Sequence, residues 1–179
     1  MINDGLIEYM ASLHEPDRLP ERFSPYSLHS CLKHGVNSSV YLLKKGDGKF
    51  ILKWGNGRCR DILAEEHAFL LRLASCGFLP RAADFFQTGD ESWLLREYVE
   101  GRTLYELADR SGGLPESEAV QLALKALACV AALHAQNPPI IHRDLKPHNF
   151  VLAPDGQVKI IDMGTAREWS AGKTLDTEY

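Results

Sequence analysis

Ile141-His142-Arg143-Asp144-Leu145-Lys146-Pro147-His148-Asn149-Phe150, followed by Lys159-Ile160-Ile161-Asp162-Met163-Gly164, is the stretch on which the fold of this chain turns. An aspartate, a lysine two residues on and an asparagine five residues on share one short loop. Two apolar, β-prone runs, Phe150-Val151-Leu152 and Val158 to Ile161, carry the chain out and back to a second aspartate. Carboxylate and amide oxygens suit a hard cation such as Mg²⁺ held on a polyphosphate, while a further carboxylate aligns a hydroxyl. Each residue also has a plainer reading: Asp144 and Asp162 as turn residues, His142 with His148 as a bare metal-binding pair. What surrounds them, and in what order, decides between the two.

The 179 residues suffice for one domain, or for two small lobes sharing a cleft. An apolar content of 45% with 25% charged residues is ordinary for a soluble globular protein. The formal net charge of −4 leaves no basic surplus to release counterions, which argues against nucleic acid as a partner. Cys31, Cys59, Cys76 and Cys129 show neither C-x-x-C spacing nor a companion histidine at finger-like distance, so reduced, partly buried thiols are expected. Asp4 and Glu8 near the start leave no apolar signal core, and the most apolar run, Ala126 to Leu133, is too short to cross a bilayer. A cytosolic protein with no membrane partner is expected, with later delivery as a secreted effector left open.

Residues 1–25 read as a short helix and an irregular lead-in, and Tyr26 to Ser30 as the start of a first strand. Cys31 to Trp54 reads as a hairpin: Val40-Tyr41-Leu42-Leu43, the turn Lys45-Gly46-Asp47-Gly48, then Phe50-Ile51-Leu52-Lys53-Trp54. Arg58 to Ala74 is a helical pattern with Leu63, Phe69, Leu70 and Leu73 apolar. Glu66 has Leu70 and Leu73 at +4 and +7, whereas Glu65 has Phe69 and Arg72, so Glu66 lies on the better core face. Gly77 to Pro80 ends that helix. Ala83 to Gln87 and Ser92 to Val99 read as strands joined by Thr88-Gly89-Asp90-Glu91. Thr103-Leu104-Tyr105-Glu106 has capping-box form, Gly112-Gly113 breaks the short helix, and Pro115 opens a long helix to about Ala135. On it Val120, Ala123, Leu124, Leu127, Val130, Ala131 and His134 recur at helical spacing and are expected to form its buried face, with His134 packed at the end. Asn137-Pro138-Pro139 terminates it.

In this order of elements the chain resembles the protein kinase superfamily, in particular bacterial eukaryotic-like Ser/Thr protein kinases, from about Leu32 onward. His142 to Asn149 matches H-R-D-L-x-x-x-N, Asp162-Met163-Gly164 matches D-F-G with methionine for phenylalanine, and the spacing of five and thirteen residues between Asp144, Asn149 and Asp162 is kept. The resemblance implies an α+β, protein-kinase-like fold. Its parts would be an antiparallel β-sheet N-lobe with an αC helix, and a truncated, mainly helical C-lobe. The boundaries expected are a lead-in at 1–25, the N-lobe with hinge at 26–101, and the C-lobe with catalytic loop and start of the activation segment at 102–179.

It also implies ATP and Mg²⁺ as cofactors. Asp144 would orient the substrate hydroxyl and Lys146 would neutralise the moving phosphoryl group. Lys53, held by Glu66, would face the α and β phosphates, and Asn149 and Asp162 would ligate Mg²⁺. Gly35, Ser38, Val40, Ile51, Lys53, Glu97, Val99 and Val151 would bind the nucleotide, with the backbone of Glu97 and Val99 at the adenine edge. Of the family's three loop glycines only the middle one survives, as Gly35, with Lys33 and Ser38 in place of the others. Arg96 stands at the gatekeeper position, usually apolar. Arg143 is of the kind that pairs with an activation-loop phosphate, with Thr174, Thr177 and Tyr179 as candidate acceptors.

Arg143, Lys146 and Pro147 favour a protein substrate over the small molecules taken by related phosphotransferases, which typically lack that lysine. The chain runs fifteen residues past Asp162-Met163-Gly164 to Tyr179, short of the family's A-P-E segment and later helices. Burying each large apolar side chain of the long helix is worth about 1.5–3 kcal/mol, against a domain stability of roughly 5–15 kcal/mol. An activating protein partner, self-association, or the segment Leu6 to Met10 is therefore expected to cover that face. Phosphoryl transfer to Ser/Thr hydroxyls of a protein is the expected activity. A nucleotide-binding, pseudokinase-like interaction module and a small-molecule phosphotransferase are the alternatives.

Overall fold

The computed structural model describes residues 19–109 and 113–170. The helix expected near the start, the break at Gly112, and the candidate acceptors Thr174, Thr177 and Tyr179 lie outside the described residues. The chain forms two compact units, one from Met1–Ala68 and Arg81–Tyr98, the other from Phe69–Pro80 and Val99–Tyr179.

The first unit is built on a five-stranded antiparallel sheet of β1 (Ser27–Lys33), β2 (Ser38–Lys45), β3 (Gly48–Asn56), β4 (Ala82–Thr88) and β5 (Glu91–Glu97), in the order β1-β2-β3-β5-β4. Lys45 pairs with Gly48 across a two-residue Gly46-Asp47 turn, and Gly46 takes φ 57°, where a side chain is disfavoured. The apolar alternation of β2 and β3 makes one sheet face a core of Tyr41, Leu43, Leu52, Trp54, Trp93 and Leu95 closed over Phe23. Phe23 is wholly buried and sits on a 3₁₀ turn, Glu21–Phe23, within the segment expected to be an irregular lead-in. Its ring lies 5.5 Å from Phe86 and 6.2 Å from Trp93, and Arg22 beside it pairs with Asp84. Cys31 to Lys33, read from sequence as part of a hairpin, belongs instead to β1, which pairs with β2 across two register shifts. An irregular, largely exposed edge strand carries too little alternation for its length to be legible.

Helix α1 (Arg58–Arg72) belongs to the first unit up to Ala68 and to the second from Phe69. Its apolar stripe is buried as the periodicity predicts: Leu63, Phe69, Leu70 and Leu73 are all in the core.

The second unit holds α2 (Leu104–Ala108), α3 (Glu116–His134) and short strands β6 (Arg102–Thr103), β7 (Ile140–Ile141), β8 (Phe150–Leu152), β9 (Val158–Ile160) and β10 (Arg167–Glu168). Strands β6, β8 and β9 form one antiparallel sheet, and β7 pairs with β10. The capping box at α2 forms in full, with Thr103 Oγ1 accepting from Glu106 N–H while the Glu106 carboxylate accepts from Thr103 N–H. Just before it, Gly101 takes φ 133°, and a Cβ there would lie 2.2 Å from Leu152 O, so the approach of this segment to β8 requires glycine.

The long helix corrects an expectation. Its buried residues are Leu122, Cys129, Val130 and Leu133, whereas Val120, Leu124 and Leu127 are more than half exposed and Ala123, Ala131 and His134 also face outward. Only Val130 of the predicted face is in the core. The helix is apolar on two stripes, so periodicity alone does not select the one that packs; contacts do. Cys129 Sγ lies 3.2 Å from Val158 O, and Lys125 Nζ donates to Gly156 O at 2.8 Å, docking the helix on the β8–β9 hairpin. By length and mean hydropathy α3 is long and apolar enough to cross a membrane, and four of its residues are buried against protein. None of the four cysteines forms a disulfide, and Cys31 and Cys76 are exposed rather than partly buried.

Candidate functional site

Two groups of polar residues stand out, one in each unit. In the first unit, Lys53 on β3 extends from the sheet face opposite the aromatic core. Its Nζ donates to both carboxylate oxygens of Glu66 at 2.8 Å each. The Lys53 side chain is 11% exposed and that of Glu66 is 2% exposed. Periodicity explains the partner: Glu66 shares the buried stripe of α1 with Leu70 and Leu73, while Glu65 is exposed. Removing one member of such a pair strands a buried charge, at a cost of about 3–5 kcal/mol.

The register places Val40 opposite Lys53 on one side and Leu94 opposite it on the other, with Ile51 opposite Arg96. Opposed residues share a face, so Val40, Ile51, Lys53, Leu94 and Arg96 form one surface. The β1–β2 loop above it is pinned. Ser39 Oγ and His34 Nδ1 are 3.3 Å apart, and Asn56 N–H donates to Asn37 O at 3.0 Å. A Cβ on Gly35 would lie 3.1 Å from Ser38 O, a tight approach. At the end of β5, Glu97 N–H donates to Arg81 O at 2.9 Å, while Glu97 O accepts from Arg96 Nη1 at 3.0 Å.

In the second unit, Asp144, Lys146 and Asn149 close into one network. Lys146 Nζ donates to Asp144 Oδ2 at 2.6 Å. Asn149 Nδ2 donates to Asp144 O at 2.9 Å and to Asp144 Oδ2 at 3.1 Å. A short 3₁₀ turn, Pro147–Asn149, makes this possible by turning Asn149 back toward Asp144. The Lys146 ammonium, opposed by partial burial and helped by Asn149, holds the Asp144 carboxyl below the ordinary carboxylate range; Lys146 is raised in return. Asp144 is therefore ionised at neutral pH.

Asp162 follows β9, where Ile161 N–H donates to Asn149 O at 3.0 Å and ties the two segments together. One Asp162 oxygen accepts from Gly164 N–H at 3.2 Å. Among the described residues no three His, Cys, Asp or Glu side chains converge on a metal-sized site. Both Asn149 Nδ2 bonds go to Asp144, which leaves the amide oxygen as its remaining ligand atom. That oxygen and the Asp162 carboxylate are hard donors and fit Mg²⁺, which takes few protein ligands and completes its shell with water and phosphate oxygens.

His142 is buried beneath this network and accepts from Asp144 N–H at 3.3 Å through Nδ1. Burial lowers its pKa, although the backbone and charge of Asp162 pull the other way. Met163, in place of phenylalanine, is 1% exposed, as are Leu70 and His142. Val151 and Val99 are buried.

Sequence reading gave Thr165 no role, yet it braces the loop. Its hydroxyl donates to His142 O at 2.8 Å, and its carbonyl accepts from Arg143 Nε at 2.7 Å. Arg143 has φ 68°, a left-handed conformation unusual outside glycine. The only sequence cue to Thr165 was its place directly after Gly164. Arg72, at the end of α1, was likewise passed over: it pairs with Glu168 on β10 and donates to Pro138 O at 2.8 Å.

The chain is 33% identical over 118 residues to sperm motility kinase 2A of Mus musculus, covering 66% of this chain and 23% of that protein. It is 34% identical over 113 residues to the serine/threonine-protein kinase GIN4 of Saccharomyces cerevisiae, covering 63% of this chain and 10% of that protein. It is 34% identical over 95 residues to the serine/threonine-protein kinase PrkC of Bacillus subtilis, covering 51% of this chain and 14% of that protein. The chain thus spans less than a quarter of the length of each of these relatives. The model of the protein kinase domain matches residues 26–179, and the chain belongs to that family.

Proposed function

We propose that this chain transfers the terminal phosphoryl group of ATP to Ser or Thr hydroxyls of a protein substrate in a Mg²⁺-dependent reaction. The observation that carries the reading is the Asp144–Lys146–Asn149 network, in which one carboxylate is held ionised by an ammonium at 2.6 Å and an amide at 3.1 Å. In this reading the Asp144 carboxylate aligns the hydroxyl and takes its proton. Lys146, half exposed and released from Asp144, neutralises charge on the transferred group. Asn149 and Asp162 would hold the cation, which would supply positive charge against the developing negative charge of the polyphosphate. Lys53, oriented by Glu66, would face the phosphates nearer the nucleoside, and Gly35, Ser38, Val40, Ile51, Val99 and Val151 are the residues that would bind the nucleotide. Glu97 and Val99 meet the base edge through their backbone. A protein substrate, an activating partner or a second copy, and a cytoplasmic location complete the reading.

The test is transfer of radiolabelled phosphate from ATP–Mg²⁺ to a mixed protein substrate, comparing the wild type with Asp144→Asn and Asp162→Asn. Equal incorporation by all three would overturn the assignment.

One observation favours a second reading, a module that holds nucleotide without transferring phosphate. The loop around Gly35 is pinned by Ser39–His34 and Asn37–Asn56 bonds, and so yields less than a triple-glycine loop when a phosphate must move. For that module ATP raises the melting temperature while no label moves.

A further inference from the structure

The loop that carries Asp144 and the segment that carries Asp162 run side by side in opposite directions. At one end Ile141 pairs with Arg167 on the β7–β10 ladder, and at the other Ile161 N–H donates to Asn149 O at 3.0 Å. Both ties are made by backbone, so neither depends on the side chain. Between them two bonds converge on Thr165. Its hydroxyl donates to His142 O at 2.8 Å, and its carbonyl accepts from Arg143 Nε at 2.7 Å. The first of these requires a hydroxyl at position 165.

These bonds hold the strained point of the loop. Arg143 has φ 68°, a conformation that a non-glycine residue keeps only where its surroundings over-determine it. That angle is the rotation of the His142–Arg143 peptide plane about the N–Cα bond of Arg143. The His142 carbonyl lies in that plane, so a donor fixed on it fixes the plane. The guanidinium bond restrains Arg143 from its other side. The following peptide brings Asp144 N–H to His142 Nδ1 at 3.3 Å. On the facing segment, Gly164 N–H donates to Asp162 Oδ1 at 3.2 Å, directly before Thr165. Thr165 is thus bonded to the two residues that precede Asp144 and follows the residue that holds Asp162.

We propose that Thr165 is a positioning residue for phosphoryl transfer, whose hydroxyl fixes the placement of Asp144 relative to Asp162. The inference rests on the phosphoryl-transfer reading above and adds to it a residue that acts through those two carboxylates. Thr165 is exposed, so a valine of nearly the same shape opens no cavity, and the two backbone ties remain.

The experiment compares the full-length wild type with Thr165→Val and Thr165→Ser in steady-state transfer from ATP–Mg²⁺, and in hydrogen–deuterium exchange of residues 142–149. In Thr165→Val kcat is expected to fall roughly ten- to hundredfold, the scale of a small misplacement of reacting groups, with KM for ATP unchanged. Exchange across 142–149 should rise while that of α1 stays as it was. Thr165→Ser keeps the hydroxyl and should match the wild type in both measurements. Wild-type kcat in Thr165→Val would overturn the proposal, and so would a loss confined to KM. A fall of kcat in Thr165→Ser would overturn it too, by assigning the effect to the methyl group, and that result does not require the valine variant to fold. Absence of transfer by the wild type would sink the phosphoryl-transfer reading instead. The exchange comparison then decides the bracing by itself, with unchanged exchange in Thr165→Val overturning it.

Discussion

Lys53 and Glu66 pose a question that a count of ion pairs does not answer, because both are buried. In Lys53→Met the Glu66 carboxylate is left in an apolar setting. The variant is expected to lose both phosphate transfer and about 3–5 kcal/mol of stability. The double variant Lys53→Met with Glu66→Leu should regain most of the stability and none of the activity, as separate denaturant melts and transfer assays would reveal. Asp144 makes a different case, since its low pKa comes first from Lys146. In Lys146→Met that support is gone and the carboxyl rises toward its ordinary value. The acid limb of kcat/KM for residual transfer should then move to higher pH. An unmoved limb would mean that another group sets it. The roles proposed for Asp144, Asn149 and Asp162 were legible as residue types at fixed spacing. The bonds of Thr165 to His142 and Arg143 were not, because a hydroxyl and a carbonyl have no pattern until the backbone has turned.

At the scale of elements, α1 and α3 show why one helix was readable and the other was read on the wrong side. On α1 the charges of Arg60, Asp61, Glu65 and Arg72 leave one apolar stripe, and that stripe is the core. On α3, Leu124 and Leu127 compete with Leu122 and Leu133 on a helix with almost no charge past its first turn to break the tie. Packing on β9 decides. Leu133→Ala should therefore cost about 2–5 kcal/mol, while Leu124→Gln should stay within about 0.5 kcal/mol of wild type, both from urea melts of the same chain. A large loss in Leu124→Gln would show that a partner or a second copy covers that face in solution. The α2 capping box was visible as Thr103-Leu104-Tyr105-Glu106, since its bonds are local. The demand for glycine at Gly101 was not, because it comes from Leu152 O, far along the chain.

For the molecule as a whole, buried histidines set the response to acid. His142, and less completely His67, are held below their ordinary value near 6.5 by burial. The folded state favours their neutral form, so as pH falls past about 6.5 the unfolded chain takes up protons first. Stability is full above that pH and declines toward the depressed folded values. The melting temperature should drop between pH 7 and pH 5, and His142→Gln should flatten part of that slope. The sequence by itself determined the order of most elements, the buried stripe of α1, and the polar residues of the two clusters. These depend on local spacing and side-chain chemistry, which each segment carries alone. Tertiary structure alone decided which stripe of α3 is covered, that Phe23 closes the core from a segment without a recognisable pattern, and that Arg96 turns its guanidinium onto the Glu97 carbonyl. Each of these outcomes is a competition between surfaces or hydrogen-bond partners that meet only when distant parts of the chain have come together.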